Sequence, residues 1–162
     1  LILSTKLLAK FAVNLLNHPF GSVINIGRKN VRRDDFNSLQ IIIDSVGTEE
    51  ILGKSNSYDS VNEIMHYYQK MRADMTIDFY GDDANSESTN FMLLLESQKA
   101  HDLSRDLGFT LNYTTSITDV KLLTGEQFSN RLQIALTIEY VNSTELSALR
   151  IDELQTEFLE NY

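Results

Sequence analysis

The alternation of apolar and polar positions is sharpest in residues 75–95, MTIDFYGDDANSESTNFMLLL, where a period of two gives way to a helical period at one glycine. Met75, Ile77 and Phe79 alternate with Thr76, Asp78 and Tyr80, so a strand here turns one apolar row toward a buried sheet face. Gly81 ends that strand. Asp82 and Asp83 then stand where side chains accept hydrogen bonds from the unpaired N–H groups of a new helix, at the end of the dipole that favours negative charge. The helix predicted from this point carries Phe91, Leu94, Leu95, Leu103 and Leu107 mainly on one side and stops at Gly108.

The same reading extends along the chain. An amphipathic helix opens it, with Leu7, Leu8, Phe11, Ala12, Leu15 and Leu16 forming the apolar stripe. His18, Pro19 and Gly21 punctuate the chain, and a short strand is expected over residues 23–26. Residues 27–38 read as an exposed loop, and the β-branched run Ile41, Ile42 and Ile43 as a buried strand over residues 39–46. The turn-rich residues 47–50 and 53–57 predict a register change or a hairpin between them. Residues 61–80 read as one long strand or a bulged one, with a helix as the competing pattern at Ile64, Met65 and Tyr68. Alternating strands are expected again from Phe109 through Ile117 and over residues 131–141, with a break at Asn142, Ser143 and Thr144. The order helix, strands, helix, strands predicts an α+β fold, a mostly antiparallel sheet flanked by an N-terminal helix and a central helix, in a single domain over residues 1–162.

A chain of 162 residues buries roughly 70% of its unfolded surface on folding, so no covalent staple is required. It has no cysteine, which removes disulfides and thiolate zinc sites and fits a reducing compartment or an assembly made inside a cell. The absence of an initiator Met at Leu1 suggests a chain trimmed at its N-terminus. No apolar run reaches the ~18 residues that a membrane-spanning helix needs.

Charge changes the picture further. The net charge is −9, yet residues 1–33 hold Lys6, Lys10, Arg28, Lys29, Arg32 and Arg33 and no acid, leaving 23 acids against 8 bases in the remainder. One short basic cluster on an acidic body disfavours tight binding to duplex DNA. Arg28, Lys29, Arg32 and Arg33 are therefore expected to be a protein-interface group, meeting an acidic surface on a neighbouring subunit or adjoining protein.

No catalytic constellation accompanies this scaffold. His18, His66 and His101 are scattered without ligand spacing, and no GxSxG, Walker A or GxGxxG motif occurs. Asp78, Asp82, Asp83 and Glu87 do not follow a calcium-loop spacing, and helix capping accounts for the acids after Gly81. A small metal-dependent hydrolase built on Asp82, Asp83 and His101 ranks as a minor alternative, so no metal, cofactor or catalytic residue is expected. The aromatic residues Tyr58, Tyr67, Tyr68, Phe79, Tyr80, Phe91, Phe109, Tyr113 and Tyr140 alternate with aliphatic positions and read as core or interface rather than as base-stacking platforms.

Taken in order, the strand ending Phe79-Tyr80-Gly81, the helix start containing Ala84, the segment Val120-Lys121-Leu122-Leu123, and the Phe128-x-x-Arg131 lead into a strand ending at Tyr140 resemble the tail or neck terminator proteins of tailed bacteriophages. The resemblance implies a structural virion protein at the head–tail junction, not an enzyme. It would form a six-membered ring that caps the tail tube and ends its polymerisation. Its partners would be its own copies, the tail tube protein and a head-completion, stopper or collar protein, with phage DNA passing through unspecifically and no membrane involved. A related ring protein, a head–tail adaptor or tube subunit, is the nearest alternative. In this reading Gly81, Asp82, Asp83 and Gly108 are structural residues at helix ends.

Overall fold

Leu3–Leu16 forms the first helix, α1, because its apolar positions recur at helical spacing and bury Leu8, Phe11, Ala12, Leu15 and Leu16. The computed structural model describes residues 3–27, 38–113, 116–120, 122–124 and 127–148, for 122–124 and 127–129 the backbone alone. The basic group Arg28, Lys29, Arg32 and Arg33, the expected loop apart from its ends Gly27 and Ser38, and the tail after Ala148 lie outside the described residues.

After α1 come β1 (Ile24–Ile26), β2 (Gln40–Asp59), β3 (Ile64–Tyr80), α2 (Ala84–Leu95), α3 (Gln98–Leu107), β4 (Phe109–Tyr113), β5 (Thr118–Asp119), β6 (Leu122–Thr124), β7 (Gln127–Ser129) and β8 (Arg131–Ser147). The main sheet has the order β1-β2-β3-β8-β4, with β5 also pairing β8, and β6 with β7 makes a separate two-stranded sheet. β1 joins β2 in parallel; the other pairings are antiparallel, so the fold is α+β with a mostly antiparallel open sheet. No described helix is long and apolar enough to cross a membrane.

The sheet alternation sets the core. Ile41, Ile43, Ala73, Met75, Ile77, Phe79, Ile134, Leu136, Ile138 and Tyr140 share one face and join a single cluster with Leu8, Phe11, Ala12, Leu15, Phe91 and Leu95 from the helices. Phe11 meets Phe109 edge-on with ring centroids 5.5 Å apart, and Phe79 meets Phe91 at 5.9 Å. Ile42 is also buried, but on the opposite face, level with its strand partners Asn25 and Asp78.

Three expectations need correction. The single helix from Asp82 to Gly108 is two helices: the Ser97 hydroxyl accepts from the Ala100 N–H and donates to the Leu94 carbonyl, closing one helix and capping the next. The turn-rich segments of β2 contain no hairpin; β2 continues through them with register shifts between Val46 and Glu50 and between Ile51 and Gly53, and reverses only after Asp59. The polar triplet Asn142, Ser143 and Thr144 does not break β8, because each residue stays paired with β3, opposite Gln69, Tyr68 and Tyr67.

Candidate assembly surface

β2, β3 and β8 are longer than the layer that covers them. Near Tyr80 they are buried, and from about Arg72 outward they run on as a three-stranded ribbon with most side chains in solvent. Two bulges in β2 mark the transition, and Gly47 takes a left-handed φ of 74° in the first, where a side chain would be strained. Glu49 in that bulge accepts a 2.7 Å hydrogen bond from the Tyr140 hydroxyl across the ribbon. Burial and this carboxylate push the Tyr140 phenol up from its ordinary pKa, so it stays protonated as the donor.

The two ribbon faces differ. On the helix-side face Tyr58, Met65 and Leu146 form one cross-strand row, flanked by Tyr67; Tyr58 is 40% exposed and Leu146 59%. On the other face Glu139 is held by Lys70 at 2.9 Å and Arg72 at 3.0 Å, and these hydrogen bonds, that of Lys70 first, keep its carboxyl below the usual range. Further out on that face His66 lies 3.1 Å from Glu145 and stacks on Tyr68. The tip is a hydrogen-bonded turn: Asp59 accepts from the Val61 and Asn62 N–H groups and the Asn62 amide, which lower its pKa, and the Ala148 N–H donates to the Glu63 carbonyl.

At the opposite end of the sheet the face turned away from the described helices carries a buried polar group. Arg131 donates to Asp78 at 2.9 Å, Gln133 donates to its other oxygen at 2.8 Å, and the guanidinium lies 5.7 Å from the centre of the Tyr80 ring. Sequence reading grouped Asp78 with the acids around Gly81 and missed this partnership. The available signal was polar alternation in two strands, Asp78 in one and Arg131 with Gln133 in the other.

The residues expected from the sequence at the helix ends separate by role. Gly81 has φ 105°, and a Cβ there would lie 2.5 Å from the Ser38 carbonyl oxygen, so glycine is required. Asp83 occupies the N-cap of α2, but its side chain makes no cap hydrogen bond, which corrects the capping role expected for it; its carbonyl instead accepts from the Glu87 N–H. Asp82 lines a cleft of about 340 Å³ with Asn85, Asp119, Asn130, Arg131 and Leu132. Gly108 ends α3 in the left-handed conformation, its N–H donating to the Arg105 and Ser104 carbonyls. Of the other acids in that stretch, Glu87 lies on His18 at 3.1 Å and Asp78 is held by Arg131 at 2.9 Å. Among the described residues no group of three or more His, Cys, Asp or Glu side chains is placed to hold a metal ion.

Comparison of the chain with curated proteins gives no match. A family model does match, that of the phage neck terminator protein, over residues 34–161. This span holds β2 through β8 and α2 and α3, which make the whole ribbon and the core apart from the share of α1 and β1. The chain belongs to the phage neck terminator protein family, a structural family of the head–tail junction.

Proposed function

We propose that the chain forms a closed ring, a hexamer, on top of the tail tube, where it stops tube growth and presents a surface to the head-completion, stopper or collar protein. The observation that carries this reading is the family match over residues 34–161. The charge supports it: a body with net charge −9 holds DNA weakly, which suits a ring through which the genome slides. A closed cyclic oligomer joins two different patches on each subunit, and the basic first 33 residues and acidic remainder supply surfaces of opposite sign. In this reading Arg28, Lys29, Arg32 and Arg33 steer docking onto an acidic neighbour, the virion neck is the site of action, and assembly takes place in the host cytoplasm.

The test is the mass of the purified protein in solution together with electron micrographs of it alone and mixed with tail tubes. A finite ring found at tube ends supports the reading. Unlimited stacks would make it a tube subunit, and a monomer at all concentrations with unoccupied tube ends would remove the ring.

A further inference from the structure

We propose that copies of the chain join along the ribbon, the outer edge of β8 in one copy pairing in parallel with the outer edge of β2 in the next, so that their sheets become continuous. The proposal rests on the ring reading and names its seam.

Both edges are open. Among the described residues β1 covers β2 only at 41–43, while β4 and β5 cover β8 only at 136–140 and 132–133. The open stretches are also level with each other. Lys70 of β3 pairs with both Gly53 and Val141, and Ile64 pairs with both Asp59 and Ser147, so residues 53–59 and 141–147 are equal in length and flank the same part of the central strand. Each runs antiparallel to β3, so they run parallel to each other. Rotation about an axis along the ribbon preserves strand direction and brings one edge against the other, which is the heterologous contact a ring needs. Exposed edges of this length are templates for strand pairing unless blunted, and over these stretches neither has a proline.

The side chains agree with the backbone. In a level seam Val141 faces Gly53, Asn142 faces Lys54, Ser143 faces Ser55, Thr144 faces Asn56, Glu145 faces Ser57, Leu146 faces Tyr58 and Ser147 faces Asp59. No row sets like charges together, and the row with two exposed apolar residues brings Leu146 onto Tyr58, covering both. Face matching requires a shift of zero or an even number of residues, since an odd shift turns every side chain over. A closed sheet of tilted strands needs some shear. A shift of two that sets Glu145 opposite Ser55 keeps the seam free of like-charge rows; the reverse shift sets Glu145 opposite Asp59, and the seam excludes it.

The cysteine-free chain makes the test clean, because introduced thiols are the only ones present. Neighbouring strands lie within the Cα separation that a disulfide spans. Three double variants are oxidised mildly after assembly: Asn56→Cys with Thr144→Cys for the level seam, Asn56→Cys with Leu146→Cys for the shift of two, and Asn56→Cys with Ser143→Cys as the mixed-face control. One same-face pair is expected to give a ladder of covalent oligomers up to the full ring, at least tenfold above the mixed-face pair, with the single-cysteine variants remaining unlinked. The mass and micrographs of each unoxidised variant establish that it assembles. Rings that form without a same-face ladder, or dimers from a single-cysteine variant through a two-fold pairing, overturn the seam and leave the ring standing. Wild-type protein that forms no ring overturns both.

Discussion

Gly81 turns the chain from β3 toward α2 directly against the backbone of Ser38, the Cβ position lying 2.5 Å from one Ser38 atom and 2.8 Å from another. Gly108 also has positive φ but faces open space. Gly108→Ala should therefore cost about 1–2 kcal/mol, the left-handed penalty alone, and Gly81→Ala distinctly more. Chemical denaturation of the pair checks this, and equal costs would show that the Ser38 contact relaxes freely.

Leu95 of α2 and Leu136 of β8 are both almost fully buried in the helix–sheet core. Leu95→Ala and Leu136→Ala should each destabilise by roughly 2–5 kcal/mol. Unchanged denaturation midpoints would place neither side chain in that core.

Asp78→Ala leaves the Arg131 guanidinium buried without its anion, and the expected loss is about 3–5 kcal/mol. Replacing both at once, Asp78→Leu with Arg131→Met, should recover much of it, since the penalty belongs to the stranded charge rather than to the lost attraction. Urea midpoints of the two variants decide, and a double variant as weak as the single one contradicts this account.

The Glu139 carboxyl is held below its ordinary range by Lys70 and then Arg72. A depressed acid stabilises the fold above its unfolded pKa and loses that contribution as pH falls through the folded value. Lys70→Met should move the Glu139 titration upward in an NMR experiment. The stability gap between wild type and variant should narrow as pH drops through the carboxylate range, and a gap constant with pH would show that the pair is not coupled to folding.

If Arg32 and Arg33 lie on the exposed loop that the sequence leads one to expect, charge reversal at both should leave thermal stability nearly unchanged while weakening capping of tail tubes, because charges in solvent contribute little to folding and much to encounter. Wild-type capping should also fall as salt is added. Scoring capped ends by microscopy checks both, and normal capping by the reversed variant at low salt removes the electrostatic role.

Sequence reading succeeded where one periodicity dominated. The alternating rows at Met75, Ile77 and Phe79 and at Ile134, Leu136 and Ile138 are the core face of the sheet, and the stripe from Leu8 to Leu16 covers it. It failed where competing local forces decided. Ser97 ends a helix by hydrogen bonds its neighbours do not announce, and Asn142, Ser143 and Thr144 remain strand because β3 supplies partners that outweigh their turn preference. The ribbon was only partly legible: glycine and serine in β2 suggested a reversal, whereas long-range pairing keeps it extended to Asp59. The Asp78 and Arg131 pair joins residues 53 positions apart, so the polar alternation of each strand marks its members while leaving open which strand pairs with which.

The bulges of β2 make the ribbon behave like a message read in frames of two. Between Val46 and Gly53 the strand takes in more residues than β3 does, and the phase it leaves with sets Tyr58 beside Met65 and Leu146. Gain or loss of a single residue there would invert everything from Gly53 to Asp59, sending Tyr58 to the side of His66 and Tyr68, while gain or loss of a pair would preserve the sense. Length changes among related chains at this position should accordingly come in twos, or be matched by a second change before the tip.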